Sequence, residues 1–151
     1  MSKILDSLEP DFRALVVPLL VELETMGIKC VGTSGRRTIT EQDKLYAIGR
    51  TIKGEGATTS MPMGRIVTKA KGGQSPHNFG LALDVCPINP RDGSLWWNAP
   101  DDVWNVIHSV AEQKGYLDSG YDWKFCDRPH IEDPNWKVAK ADWLAGKLKV
   151  V

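Results

Sequence analysis

The stretch Ser75-Pro-His77-Asn-Phe-Gly80-Leu-Ala-Leu-Asp84 decides how the rest of the chain is read. An imidazole stands at the mouth of a strand-like run, Phe79 to Cys86, and a carboxylate stands inside it. By the two-residue period of a strand, Ala82 and Asp84 share one face while Leu81, Leu83 and Val85 take the other. A carboxylate in an otherwise apolar strand is costly unless it is paired, hydrogen-bonded or metal-bound. The run stops at Pro87 and the turn-rich Asn89-Pro90-Arg91-Asp92-Gly93.

Histidine is scarce here: His77, His108 and His130 are the whole set. Downstream, Asp127-Arg-Pro-His130 puts a second carboxylate three residues before a second imidazole. Two histidines and an aspartate make a suitable three-ligand set for catalytic zinc, with the fourth position left for water. A spare carboxylate then serves as general base on that water. Glu132 lies two residues from His130, shares its face on a strand, and competes with Asp127 for that role or for the metal. The plainer reading is an ordinary hydrogen-bonded His–Asp pair; two such segments in a chain with three histidines favour the metal. His108 falls inside an expected helix, where a structural role suits it better.

Working outward, Phe12, Leu15, Val16, Leu19, Leu20 and Leu23 mark a helix over Asp11 to Met26, which Pro18 should kink or start late. Ile28 to Thr33 reads as a short strand. Thr38-Ile-Thr-Glu41 fits a capping box for a helix from about Thr40 to Ile52. Lys53 to Pro76 is rich in Gly, Thr, Ser and Lys, as in a lid, a binding loop or a poorly ordered segment. A further helix is predicted over Pro100 to Lys114. Tyr121 to Phe125 and Pro129 to Glu132 read as strand fragments, and Asp133-Pro134 should open a last helix through Leu148. Helices and strands mix without regular βαβ alternation, so the class is α+β.

The chain has 151 residues, the size of one domain, so residues 1–151 are read as a single unit. Nineteen basic residues balance nineteen acidic ones, which leaves no global positive field for nucleic acid. The longest apolar stretch, Ala14 to Val21, is far short of the ~20 residues of a membrane span. The opening MSKILDSLEPDF carries early acidic residues and no apolar core, so no secretory signal and synthesis in the cytosol are expected. Cys30, Cys86 and Cys126 form no Cys-x-x-Cys pair and read as reduced, buried thiols. Trp104 and Trp143 fall at core spacing, whereas Trp96, Trp97 and Trp123 are candidates for a groove wall. Asp118 and Asp122 flank Ser119-Gly120 without a complete calcium-loop pattern, so a solvated turn is expected there. The last helix carries Lys137, Lys140, Lys147 and Lys149 against Asp142, which reads first as a docked helix with a charged solvent face and alternatively as a basic face suited to weak contact with anionic envelope surfaces.

These motifs together resemble one family. Ser75 to Asp84 matches the Ser-x-His-x-x-Gly-x-Ala-x-Asp signature of the zinc D-Ala-D-Ala carboxypeptidase and L-alanyl-D-glutamate endopeptidase group. Ser34-Gly-Arg-Arg37-Thr with Gln42 resembles its upstream segment, and Asp122-Trp123-Lys124 before Asp127-Arg-Pro-His130 resembles its closing one. The resemblance spans roughly residues 28 to 132. It implies a hedgehog/DD-peptidase-like fold, a small antiparallel sheet flanked by helices. It implies zinc (Zn²⁺) held by His77, Asp84 and His130, with Asp127 as the catalytic acidic residue, preferred over Glu132. It further implies Arg37 as the group that faces substrate and stabilises negative charge, Ser75 as a substrate contact, and Gln42 as a supporting group. Trp123 is expected to meet substrate as part of the groove wall.

The activity implied is hydrolysis of the L-Ala–D-Glu bond in the peptidoglycan stem peptide. Alternatives are a D-Ala-D-Ala carboxypeptidase or dipeptidase with the same zinc site, or a silent wall-binding module. The short, leaderless form looks most like the family's phage endolysins: a monomer made in the host cytoplasm and released to the wall by a separate holin.

Overall fold

A computed structural model describes residues 2–115, 117–123 and 126–151. The elements in order are α1 (Lys3–Asp6), α2 (Pro10–Thr25), β1 (Cys30–Ser34), α3 (Ile39–Ala47), a 3-10 turn (Pro76–Phe79), β2 (Ala82–Pro87), α4 (Asp101–Gln113), β3 (Asp118–Ser119), a second 3-10 turn (Gly120–Asp122), β4 (His130–Glu132) and α5 (Trp136–Leu144). The four strands form one antiparallel sheet in the order β1-β2-β4-β3. This is the α+β arrangement, with helices around a small sheet.

The two faces of β2 divide as its alternation predicts. Leu83 and Val85 are fully buried and join Phe12, Val16, Leu19 and Leu23 of α2, and Trp104, Ile107, Val110 and Ala111 of α4, in one core. Asp84, on the opposite face, is half-buried. Leu83 sits at the centre of this core, opposite Ile131 of β4. Leu83→Ala is therefore expected to destabilise the fold by about 2–5 kcal/mol, read from the denaturant midpoint.

Several boundaries differ from the sequence reading, each for a local reason. Helix α2 runs unbroken through Pro18, because Pro18 and Ala14, whose carbonyl loses its partner, both lie on the exposed side where water can serve that carbonyl. The capping box of Thr38 and Glu41 is present, but α3 ends at Ala47: Ile48 turns extended and Gly49 takes a φ of 83°. Beyond it, residues 49–67 form an arm of turns, pinned by Gly54 N–H to Met63 O at 2.8 Å and Arg65 N–H to Glu55 O at 2.8 Å. Arg50 closes its base by donating to the Thr68 carbonyl at 3.0 Å while stacking on Tyr46.

The expected strand at Phe79 is instead a 3-10 turn ended by Gly80 at φ 70°, and the strand begins at Ala82. Part of the expected strand at Tyr121 is the second 3-10 turn, and Phe125 lies outside the described residues. Helix α5 starts after Asn135 because Asp133 spends its carboxylate on the Asn135 N–H at 2.8 Å, and it ends short of Gly146 at φ 75°. Helix α1, capped by Ser2, is an addition. Cys30 and Cys86 are buried, and burial pushes the Cys30 thiol up to about 12; Cys126, by contrast, is exposed.

Candidate active site

Strand register brings the polar residues together. Asp84 of β2 stands between Ser34 of β1 and His130 of β4. His77 reaches the same place from the 3-10 turn, whose start is capped by the Ser75 hydroxyl accepting from the His77 N–H at 3.3 Å. His77 Nδ1 donates to the Gly35 carbonyl at 2.7 Å, which turns Nε2 towards Asp84 Oδ1 at 3.4 Å. His130 Nε2 donates to Glu132 Oε1 at 2.7 Å, leaving Nδ1 3.2 Å from the same Asp84 oxygen. Donor atoms of His77, Asp84 and His130 all lie within 4.8 Å of one another. Among the described residues this is the one such cluster able to share an ion.

The charges of the cluster ask for a cation. Burial pushes the Asp84 carboxyl up, yet hydrogen bonds from His130 and His77, and their charge, hold it well below the usual carboxylate range. Burial pulls His130 down, but its bonds to Asp84 and Glu132 raise it to about 9. Two imidazole nitrogens and a carboxylate oxygen beside an open cleft are the donor set of a catalytic zinc site. Each imidazole also has its outer nitrogen engaged, by the Gly35 carbonyl or the Glu132 carboxylate, as oriented metal ligands do. The residues fit zinc.

Around this centre opens a cleft of about 400 Å³ that Arg37, Ser75, Trp123 and Asp127 help to line. Arg37 Nη2 donates to Asp84 Oδ2 at 3.4 Å and to the Ser34 hydroxyl at 3.1 Å. Its Nη1 donates to Gln42 Oε1 at 3.3 Å. Gln42 is fully buried, and its amide donates to the Ala70 carbonyl at 2.9 Å, so it ties Arg37 to the far cleft wall. Trp123 is exposed, with its ring 5.0 Å from that of His130.

Asp127 stands at the exposed rim, its backbone N–H bonded to Gly120 O at 2.9 Å. Desolvation at the wall, helped by the Asp84 charge, lifts its carboxyl above the ordinary range against the pull of His130, His77 and Arg37. Glu132, its rival in the sequence reading, is buried and holds the outer nitrogen of His130.

Other candidates lie elsewhere. Trp96 borders a separate depression beside Asn89 and Pro100, and Trp97 is exposed; neither lines the cleft. His108 packs its ring 5.0 Å from Tyr121, away from the cluster. Asp118 pairs in register with Glu132, while the Asp122 side chain is outside the described residues. Sequence reasoning missed the Gly35 carbonyl, and it offered the 53–76 loop as a lid or binding loop without singling out Val67, Thr68 and Ala70, which line the cleft. A backbone acceptor has no letter of its own, and the 53–76 loop carries no periodicity.

Comparison with known proteins bears on this site. Residues 68–133 match the family model of D-alanyl-D-alanine carboxypeptidase. The chain is 40% identical over 114 residues to the peptidoglycan L-alanyl-D-glutamate endopeptidase CwlK of Bacillus subtilis (strain 168), covering 70% of this chain and 61% of that protein. It thus spans about three fifths of that relative's length. The L-Ala D-Glu endopeptidase ChiX of Serratia marcescens superposes with a TM-score of 0.54 at 18% identity, over 90% of this chain and 87% of its own. The vancomycin-resistance D,D-pentapeptidase VanY of the VanB-type cassette, solved with Zn(II), gives 0.58 at 17%, over 92% and 79%. At those identities the two structures share the fold.

Proposed function

We propose, from the premise that the chain belongs to the D-alanyl-D-alanine carboxypeptidase family with its endopeptidase relatives, that it is a zinc-dependent peptidase cutting the L-Ala–D-Glu bond of peptidoglycan stem peptides. One observation carries the reading: His77, Asp84 and His130 converge at the floor of an open cleft that Asp127 and Arg37 also line. These three residues would hold the zinc, which when bound supplies Lewis acidity to a carbonyl oxygen and acidifies water.

The chain's own groups supply the rest. Asp127 takes the proton of the attacking water and passes it to the leaving amine. Arg37, fixed by Ser34, Gln42 and Asp84, presents preorganised positive charge to the oxygen on which negative charge develops. Ser75 holds the turn that aims His77, and Trp123 offers an aromatic wall to the substrate.

Removal of a terminal D-Ala by the same machinery is the second reading, favoured by the family model's own description. The length of the groove supports the first: Val67, Thr68, Trp123 and Asp127 also line a depression that carries the cleft on to Ile66 and Lys69. An internal bond in an extended peptide needs such a groove. Digestion of purified sacculi and of muropeptides with intact pentapeptide stems, read by mass spectrometry, decides. New D-Glu amino termini are expected; release of D-Ala alone would move the chain to the carboxypeptidase branch.

A lytic role, with synthesis in a phage-infected host's cytoplasm and release by a holin, belongs to the same proposal. Cutting at the base of the stem frees cross-links from the glycan, whereas trimming D-Ala leaves them intact. Permeabilised cells are expected to lose turbidity. Sacculi digested without such loss would remove the lytic role alone.

The pH profile tests the base. Asp127 works only when ionised, and its carboxyl is raised above the ordinary value, so the acid limb of kcat/KM is expected above the usual carboxylate pKa of about 4. An optimum near pH 4 with zinc retained would exclude this mechanism.

A further inference from the structure

The chain has no net charge, but its charge is not evenly spread. Four of its nineteen cations and one of its nineteen acids fall within the last sixteen residues, leaving fifteen against eighteen elsewhere. Helix α5 and the turn after it sort these residues by face. Trp136, Ala139 and Trp143 point inward and pack against the core. Phe79 lies 6.1 Å from the Trp136 ring and 5.9 Å from that of Trp143.

The outer side carries Lys137, Lys147 and Lys149, all exposed, with Lys140 half-buried beside them. Among the described residues, none of these four makes an ion pair. Val138, Leu144 and Leu148 of the same segment are also exposed, at 63%, 70% and 40%. The segment therefore combines three exposed apolar side chains with four lysines that lack an acidic partner among the described residues, Lys137 lying 6.0 Å from the Trp136 ring.

We propose that this face docks on an anionic phospholipid bilayer, independently of the peptidase reading. Lysine ammoniums meet the lipid phosphates while Val138, Leu144 and Leu148 enter the headgroup boundary, the arrangement of an interfacial helix. The helix is far too short to span, and no described helix is long and apolar enough to cross a membrane. A second copy of the chain is a poor occupant, since like charges would face each other. A soluble polyanion would satisfy the lysines and leave the apolar side chains in water. Of these three occupants, the bilayer is the one that uses both.

The test is co-sedimentation of the full chain with phosphatidylcholine vesicles, with and without phosphatidylglycerol. Binding is expected only to the anionic vesicles and should weaken steeply with salt. Each lysine near an anionic surface strengthens attachment roughly fivefold, so Lys137→Gln, Lys147→Gln and Lys149→Gln combined should lower it by about 100-fold. These side chains are exposed, and unchanged circular dichroism would show that the fold survives. Leu144→Ser should weaken vesicle binding at any salt. Equal partition to neutral and anionic vesicles, or an unaffected triple variant, overturns the proposal. So does retention of soluble polyphosphate without vesicle binding, which would identify a polyanion site instead.

Discussion

Asp127→Asn is expected to keep the zinc and the fold while losing at least ~100-fold in turnover, since general-base contributions run from about 10² to 10⁴ in rate. Asparagine preserves the size of the side chain and its place at the rim, and removes only the ability to accept a proton. Glu132→Gln is the informative contrast. Its carboxylate is already committed to His130 Nε2 at 2.7 Å, and an amide oxygen can still accept that bond. The expected cost is therefore the roughly 10- to 100-fold loss in zinc affinity or activity typical of a group that orients a ligand. Steady-state kinetics on a defined muropeptide, with zinc content measured in parallel, separates the two. An active Asp127→Asn beside a dead Glu132→Gln would reverse the assignment.

His77→Ala and His130→Ala are each expected to abolish stoichiometric zinc. Either change leaves two donors where three are needed, and leaves Asp84 without one of the imidazoles that stabilise its charge. Elemental analysis after dialysis is the measurement, with one zinc per chain expected in the parent protein. Chelation of the parent should silence it, and added zinc should restore it. Full occupancy in both variants would place the metal elsewhere.

The legible parts of this protein are those written in side chains at a regular period. The alternation in Leu81 to Val85 assigns Asp84 to the face opposite the core, and α4 shows its inward residues at helical spacing. The scarcity of histidine by itself narrows the metal candidates to a few side chains. Other features have no such script. Helix α1 has four residues, too few for a periodic signal. The strand rule puts Glu132 on the face of His130 but cannot say which ring nitrogen it meets. The arm over residues 49–67 is shaped by backbone hydrogen bonds, so its composition suggests a lid or binding loop but not which of its residues reach the cleft. Aromatic count likewise carries no direction, which is why Trp96 and Trp97 fall away from the cleft while Trp123 lines it.

The packing of Phe79 against Trp136 and Trp143 has a consequence for the order in which the working site is made. The turn that holds His77 leans on a helix about sixty residues further along the chain. A ribosome delivers His77 and Asp84 early, then His130, and only afterwards the two indoles behind the first ligand. Contacts this distant in sequence form late and slowly compared with a helical turn. The nascent polypeptide therefore carries all three of its ligands before the wall that steadies the first of them, and that wall is complete only once α5 has emerged and docked.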